Sequence, residues 1–297
     1  MDRCANPPLQ NEFVEQAREN TFTWAMYRNI LYELAVNRFK YGGFTDTMNA
    51  RMLELNLNGY GAATIFREDG AGLIMNGQLA YDLRLDYYGN PISWRAIMYN
   101  GVNFSGLSSQ NAVLVYNNRL RTSTFPLVSM YAQKLWDAQA SADTNVHLQK
   151  YPLLVKAPKA AIKSMKTVMQ KYIGNEPIIY GLENLDIEQV QVLNLKVPFI
   201  APELLEYKKN LWNEALIFLG IANNYTEKSE RLNIPETNQT QGATNAYRET
   251  ALRERQYALE KANKLFGLNL TVEFNVEVEQ MAAEVTKAIF REDDTIG

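Results

Sequence analysis

Two amphipathic helices separated by a long polar stretch limit what the C-terminal third of this chain can fold into. The first helix is predicted over residues 202–219, with Pro202 in its first turn and Gly220 just past its end, where we expect a left-handed cap. The second is predicted over residues 246–266. The stretch between them has too few apolar side chains to form a packed core, and structureless loops longer than about 15 residues are usually functional or disordered. We therefore predict a mobile loop over residues 222–243, held between two rigid helices.

Composition sets the broad class of the protein. With 297 residues, 46% hydrophobic and 21% charged, the chain is typical of a soluble globular protein with a sizeable core. The formal net charge of -3 argues against a static basic surface that grips nucleic acid, although it allows nucleic acid to slide past. The single cysteine, Cys4, excludes an internal disulfide framework. We find no signal peptide and no apolar run of about 20 residues, so we expect a cytosolic product without a membrane partner.

The search for catalytic chemistry returns almost nothing. The phosphate-binding loop and the dinucleotide-binding glycine motif are both missing from the sequence. His147 is the only histidine, which rules out a metal site built from several histidines. The acidic pairs Asp82/Asp86 and Asp293/Asp294 lack a convergent motif and are interpreted as solvated charges. The sequence therefore predicts a protein that is not an enzyme and needs neither cofactor nor metal.

The middle of the chain predicts two long helices with a small module between them. A stripe of apolar residues from Val128 to Ala142 indicates a helix over residues 125–146, similar in length to the helix over 202–219. The module between them alternates strands and a helix, predicted at 151–156, 158–172, 177–180 and 188–195. This is the layout of an α+β protein with a stalk and a head. Trp136 and Trp212, one on each long helix, are interpreted as packing anchors between the rods.

The remaining segments predict a mixed helical and sheet region. Residues 11–41 read as a helix whose apolar stripe contains Phe22, Met26, Leu31, Leu34 and Ala35. Further elements are a helix at 45–57, strands at 63–66, 92–99 and 112–116, an alternating strand at 268–278, and an acidic tail.

Three groups of cations are candidates for binding polyanions. Lys159, Lys163 and Lys166 share one face of the predicted helix at 158–172, which is either an ordinary solvated face or a docking site for an acidic partner. Lys208 and Lys209 lie on the helix before the polar loop, and Lys228 and Arg231 lie inside the loop. Each group is sparse alone, but copies arranged around a symmetric ring would form bands of positive charge.

Four stretches of sequence resemble the portal proteins of small short-tailed bacteriophages, also called upper collar or head-tail connector proteins. They are Y-I-G-N-E-P-I-I-Y at 172–180, K-V-P-F-I-A at 196–201, K-K-N-L-W-N-E-A-L-I-F-L-G-I-A-N-N-Y-T-E-K-S-E-R at 208–231, and N-K-L-F-G-L-N-L-T-V-E-F at 263–274. Their order and spacing match across the C-terminal half, whereas the N-terminal half agrees mainly in layout. The resemblance implies a dodecameric ring at one capsid vertex, with a channel through which a packaging ATPase drives double-stranded DNA and the genome later leaves.

The same resemblance divides the chain into functional parts. It implies that the fold is α+β, with long stem helices, a small α/β clip inserted between them, and a mixed helix and sheet wing. The parts are the N-terminal wing at 1–124, stem helices at 125–147 and 201–220, the clip at 148–200, the channel loop at 221–243, and the C-terminal wing or crown with its acidic tail at 244–297.

The resemblance also implies partners and site residues. The implied partners are the capsid protein, lower collar or tail proteins, the packaging ATPase, and DNA in the channel. Lys208, Lys209, Lys228 and Arg231 become candidates for contact with DNA, and Lys159, Lys163 and Lys166 for docking of the motor or tail. Two alternatives stay open: a structural collar or tail component that does not conduct DNA, and a metabolic enzyme with an unrecognised site.

Overall fold

The computed structural model describes residues 9–82, 84–150, 153–156, 191–194, 198–223 and 234–290. The helices of this part are α1 Leu9–Val36, α2 Ala50–Tyr60, α3 Phe125–Lys150, α4 Ala201–Leu219, α5 Ile234–Phe266 and α6 Glu277–Ile289. The strands are β1 Phe39–Gly42, β2 Ala62–Arg67, β3 Ile74–Tyr81, β4 Trp94–Ile97, β5 Asn103–Leu107, β6 Ala112–Tyr116, β7 Leu153–Lys156, β8 Gln191–Asn194 and β9 Thr271–Phe274. The mixed helix and sheet class predicted from the sequence is confirmed.

The chain divides into two compact units. The larger contains Met1–Ala138 and Tyr207–Gly297, and the smaller contains Gln139–Glu206. In the smaller unit, β7 and β8 pair antiparallel, close to the predicted strands at 151–156 and 188–195. The helix predicted at 158–172 and the strand at 177–180 lie outside the described residues.

Asn145 fixes the start of α4 to α3 within the smaller unit. Its side-chain Nδ2 donates to the Pro198 carbonyl, and its Oδ1 accepts from the Ile200 backbone, each at 3.0 Å. One amide side chain therefore holds the turn into the second long helix.

An antiparallel sheet of five strands, in the order β5-β4-β3-β2-β6, forms the centre of the larger unit. The sequence indicated β2, β4 and β6 but missed β3 and β5. Polar residues and glycines interrupt the apolar pattern of these two strands, as with Asn76 and Gly77 in β3. Asn76 is nevertheless buried because its side chain exchanges hydrogen bonds with the backbone of Asn49, at 2.7 and 3.0 Å.

Helices α1, α3, α4 and α6 pack around Trp212 in a cluster of buried apolar side chains, which we call the tryptophan cluster. The stripe predicted on α3, from Val128 to Ala142, is buried as expected. On α1 the prediction holds for Leu31, Leu34 and Ala35, but Phe22 and Met26 are 61% and 45% exposed.

The end of α1 was predicted too late. The helix ends at Val36, and Phe39–Gly42 forms a strand that pairs with β9. Pairing between segments more than 200 residues apart leaves no local signal in the sequence.

Helix α5 begins at Ile234, twelve residues before the predicted start. The prediction placed the start at the first apolar repeat, because residues 234–245 include three threonines, two asparagines and Gly242, which are weak helix formers and give little local signal of a helix. Pro235 in the first turn is consistent with this start, because its missing N–H has no helical partner there. The loop predicted over 221–243 is therefore wrong at its C-terminal end, since residues 234–243 are helical.

The strand predicted at 268–278 is also shorter than expected. It ends at Phe274, and α6 follows at Glu277, where no helix was predicted. Val278 and Ala282, one helical turn apart, are fully buried in the tryptophan cluster. The alternating apolar residues before α6 concealed this helical spacing.

Candidate functional site

Lys208 and Lys209 lie on α4, before the polar segment, but in different surroundings. Lys208 is only 3% exposed, and its Nζ lies 5.4 Å from the centre of the Tyr27 ring and 5.0 Å from that of Phe290. Lys209 is half-buried. Successive helical residues point about 100° apart, which separates the two lysines. The sequence analysis grouped the two lysines as one candidate site, whereas in the structure Lys208 points toward aromatic rings inside the subunit.

A glycine cap ends α4 where the polar segment begins. Gly220 has φ of 71°, its N–H donates to the Ile217 carbonyl, and the N–H of Ile221 donates to the Leu216 carbonyl, both at 2.9 Å. These bonds and the apolar contact between the buried Leu216 and Ile221 define a Schellman motif. The left-handed cap predicted for Gly220 is confirmed.

Arg248, on α5, fixes this cap from the other side of the segment. Its Nε donates to the Gly220 carbonyl at 2.9 Å, and its Nη2 donates to Glu279 of α6. The guanidinium lies 3.6 Å from the centre of the Phe274 ring. A Cβ at Gly220 would lie 2.7 Å from the Arg248 backbone nitrogen, so the chain passes too close here for a side chain.

Arg38 fixes the last residue of α4. Its Nη1 donates to the Leu219 carbonyl at 2.9 Å, its Nε to the Ala35 carbonyl at 2.9 Å, and its Nη2 to Asn58 Oδ1 at 3.0 Å. Burial, and then the nearby charge of Arg255, lower the pKa of Arg38 to about 10. Arg38 is still protonated at neutral pH and keeps all of these donors.

A buried ion pair continues from Asn58 to α5. The Asn58 amide donates to Glu54 Oε2 at 2.9 Å, and Arg255 donates to both Glu54 oxygens, from Nε at 2.7 Å and Nη2 at 2.9 Å. Arg255 also donates to Asn117, from Nη1 to the carbonyl at 3.1 Å and from Nη2 to Oδ1 at 3.0 Å. Burial alone would lower the pKa of Arg255, but Glu54 and Tyr41 raise it. We call the six linked side chains the arginine network: Arg38, Tyr41, Glu54, Asn58, Asn117 and Arg255.

Both helices that flank the polar segment are therefore tied into one buried scaffold. Arg38 holds the end of α4, Arg255 holds α5, and Glu54 connects them through Asn58. Sequence reasoning missed these residues, because Glu54 and Arg255 are separated by 201 positions and neither belongs to a recognisable motif. The scaffold fixes the two ends between which residues 224–233 run.

The other predicted site residues receive no structural test. Lys228 and Arg231 of the loop and Lys159, Lys163 and Lys166 of the clip lie outside the described residues. Among the residues that the structure describes, no group of three or more histidines, cysteines and acidic residues is arranged to hold a metal ion. No helix in that same part combines the length and apolar character needed to span a membrane.

Comparison with known proteins adds a family and a fold. The family model described as Phage Connector (GP10) matches residues 10–279. The chain is similar to a chain of the portal and tail of native bacteriophage P68, at 15% identity and a TM-score of 0.50, covering 99% of this chain and 98% of that one. It is also similar to an HK97 family phage portal protein from Corynebacterium diphtheriae, at 10% identity and a TM-score of 0.46, covering 88% of this chain and 94% of that one. The likeness to the P68 chain supports the fold alone.

Proposed function

The chain belongs to the Phage Connector (GP10) family, and from this premise we propose that it is the subunit of a phage portal, or head-tail connector. A connector family implies a structural protein of the virion rather than an enzyme. The proposed protein assembles as a closed ring at one capsid vertex, where it associates with the capsid protein on one side and with tail proteins on the other. The match over residues 10–279 is the observation that carries this proposal.

We further propose that the ring is dodecameric and encloses a channel for double-stranded DNA, which a packaging ATPase drives inward and which serves again for ejection. A channel that passes DNA must not hold it strongly, since binding to the duplex strengthens with every phosphate neutralised. The net charge of -3 fits such passage.

The channel loop in this proposal is the segment between the Gly220 cap and the start of α5 at Ile234. Copies of Lys228 and Arg231 would contact passing phosphates and resist backward slippage of pressurised DNA, with Lys209 supporting them. Lys208 is left out because its ammonium lies beside the rings of Tyr27 and Phe290. The support for a loop of this kind is its rigid base, where Arg38, Arg248 and Arg255 fix both flanking helices.

Electron microscopy of the purified protein tests the ring. We expect closed rings whose axial channel admits B-form DNA. Monomers or open fibres would contradict the portal function. Closed rings with a channel too narrow for the duplex would favour the alternative of a collar or tail component.

The loop is tested by neutralising its charges rather than by deleting it, because a deletion that extends past residue 233 would remove the first turns of α5. Lys228→Gln with Arg231→Gln should leave rings intact and allow packaging to start, while the particles retain less than a full genome. The matched control is Lys40→Gln with Arg51→Gln, which removes the same charge from exposed positions of the larger unit. Fully packed, stable particles from the loop variant would show that the loop only links the two helices and does not retain DNA.

Docking of the motor or tail through Lys159, Lys163 and Lys166 stays a prediction. Exchanging all three for glutamate should preserve ring assembly and weaken docking, and the loss should depend on salt concentration. Normal docking by the triple variant would show that these lysines do not contribute to docking.

A further inference from the structure

A cationic groove of about 830 Å³ lies in the larger unit, between β6 and α5. The described residues that line it include four cations, Arg119, Arg121, Lys261 and Lys264, and one acidic residue, Glu254. This concentration of positive charge contrasts with the net charge of -3 of the whole chain. Neither the buried scaffold at the base of the polar segment nor the proposed channel residues use this groove.

The backbone of β6 is open toward the groove. Among the strands that the structure describes, β6 stands at one end of the sheet and pairs with β2 alone. The Arg67 N–H donates to the Asn111 carbonyl at 3.1 Å, and the Asn117 N–H donates to the Gly61 carbonyl at 3.0 Å. In an antiparallel ladder the hydrogen-bonded positions alternate, so odd-numbered residues of β6 face β2 and even-numbered residues face outward.

Leu114 and Tyr116 are the outward positions that matter. Their N–H and carbonyl groups have no backbone partner among the described residues, whereas the N–H of Ala112 is taken by the Ser108 carbonyl at 2.9 Å. Both residues line the groove and are partly buried. An open edge of this kind is a template for an added strand.

The cations on the two walls are held in place by neighbouring groups. Arg121 lies 4.4 Å from the centre of the Tyr116 ring and donates to Asn90 Oδ1. On the α5 wall, Lys261 Nζ lies 4.2 Å from the centre of the Tyr257 ring, and Lys264 follows three positions later on the same face. An extended segment between the walls would meet positive charge on both sides.

The open edge of β6 and the cations on both walls together favour an acidic peptide as the ligand. A nucleic acid would use the cations but would leave the amide and carbonyl groups of Leu114 and Tyr116 without matching partners, whereas an acidic peptide satisfies both.

We propose that residues 291–297 of a second copy of this chain occupy the groove as an added strand. The segment R-E-D-D-T-I-G carries three consecutive carboxylates. Extended, its seven residues span about 23 Å, enough to run past the five residues of β6. Side chains alternate along a strand, so Asp293 faces one wall while Glu292 and Asp294 face the other.

The place where the segment starts favours a donor in a second copy. Phe290 packs against Trp212 in the tryptophan cluster, with ring centres 6.4 Å apart. The groove instead borders a separate cluster that contains Val113 and Ala258. The inference of a donor in a neighbouring subunit rests on the proposed function, because every subunit of a ring has neighbours on two sides.

Disulfide trapping between two differently tagged full-length chains tests the pairing. Both chains carry Cys4→Ser; one carries Leu114→Cys and the other Asp294→Cys. The proposal expects a mixed disulfide on a non-reducing gel. The matched control places the acceptor cysteine at Tyr99, which is 95% exposed and outside the groove, and should trap about tenfold less.

Charge exchange tests the chemistry. Lys261→Glu with Lys264→Glu in the acceptor should reduce trapping about tenfold, whereas Lys40→Glu with Arg51→Glu should not. In the donor, Glu292→Lys and Asp293→Lys are introduced separately, and the one whose side chain faces the α5 wall should restore trapping to the charge-reversed groove. If Lys261→Glu and Lys264→Glu merely disturbed the fold of the acceptor, a donor of opposite charge would not restore trapping.

The outcomes separate this inference from the portal function. Closed rings without trapping overturn the inference and leave the portal function intact. Trapping between chains that form no rings supports the groove pairing and contradicts the portal function. A disulfide confined to one chain that carries both cysteines overturns the role of a second copy. A last experiment measures alkylation of the cysteine in Leu114→Cys. If a single-stranded oligonucleotide protects this cysteine and a peptide of residues 290–297 does not, the groove binds nucleic acid and the inference is overturned.

Discussion

The tryptophan cluster and the arginine network are both buried, yet they are built on opposite principles. Trp212 and its neighbours exclude water by close packing of apolar side chains from four helices. Arg255 is equally inaccessible, but its neighbours are Glu54, Asn117 and backbone carbonyls. The tryptophan cluster holds α4 through Trp212, whereas the arginine network holds both helices that flank the polar segment, α4 through Arg38 and α5 through Arg255.

The comparison teaches that these helices are secured by two kinds of support that differ in their tolerance to change. An apolar cluster loses stability gradually, because neighbouring side chains relax into the space that a smaller residue leaves. A buried ion pair fails abruptly when one partner is removed, because the remaining charge has neither water nor a counter-charge. We therefore expect substitutions in the arginine network to be more damaging per atom removed.

The largest effect is expected from Glu54→Ala. It leaves the fully buried Arg255 without its carboxylate and should lower the free energy of unfolding by about 3–5 kcal/mol, measured by urea denaturation. The double variant Glu54→Leu with Arg255→Met should recover most of this loss, because well-packed apolar residues can replace a buried pair. A loss below about 1 kcal/mol in the single variant would break the contrast between the regions.

Gly220→Ala comes next, at the junction of the two regions. The left-handed backbone and the approach of 2.7 Å to the Arg248 nitrogen should together cost about 2–4 kcal/mol. Gly267→Ala is the matched control, with φ of 72° and no atom within 4 Å of the added Cβ. Equal losses of stability in thermal unfolding would show that the contact with Arg248 contributes nothing.

Trp212→Phe tests how much the tryptophan cluster contributes to stability. It removes the hydrogen bond of 2.8 Å from the indole Nε1 to Thr286 Oγ1 and leaves a small void, at a cost of about 1–3 kcal/mol. Thr286 keeps its own bond of 2.6 Å to the Ala282 carbonyl, so the defect should stay local. Trp136→Phe, at a half-buried position, should cost less, and the reverse order would argue against the tryptophan cluster as the anchor of α4.

The smallest effect is expected from Tyr41→Phe, and it depends on pH. Burial and then the charge of Glu54, to which Tyr41 donates, raise the pKa of this phenol above its ordinary value of 10.0. The folded state then holds a proton that the unfolded state releases, so this contribution is full below pH 10 and is lost as pH rises further. The variant should lose about 1 kcal/mol at neutral pH and show a shallower decline in stability above pH 10.

Unfolding measured across the alkaline range provides the control for this variant. Tyr32, Tyr116 and Tyr131 also have raised pKa values, because each is withdrawn from water. The alkaline loss of stability should therefore diminish in Tyr41→Phe without disappearing. An unchanged slope would mean that the Tyr41 hydroxyl does not take part in the network.

The sequence by itself determined the features that repeat locally. The apolar stripe on α3, the glycine cap after α4 and the core strands β2 and β6 follow from side-chain spacing and backbone preference. The family resemblance also came from short stretches of sequence, and the match over residues 10–279 confirms it.

Tertiary structure alone decided what depends on distant partners. Strand β1 exists because it pairs with β9, the polar first half of α5 gives no apolar pattern to read, and α6 was hidden by an alternating run that precedes it. The burial of Lys208 among aromatic rings and the assembly of Arg38, Glu54 and Arg255 bring together residues far apart in the chain. Charge and polarity in a sequence predict exposure, and only the folded chain supplies the partners that make their burial favourable.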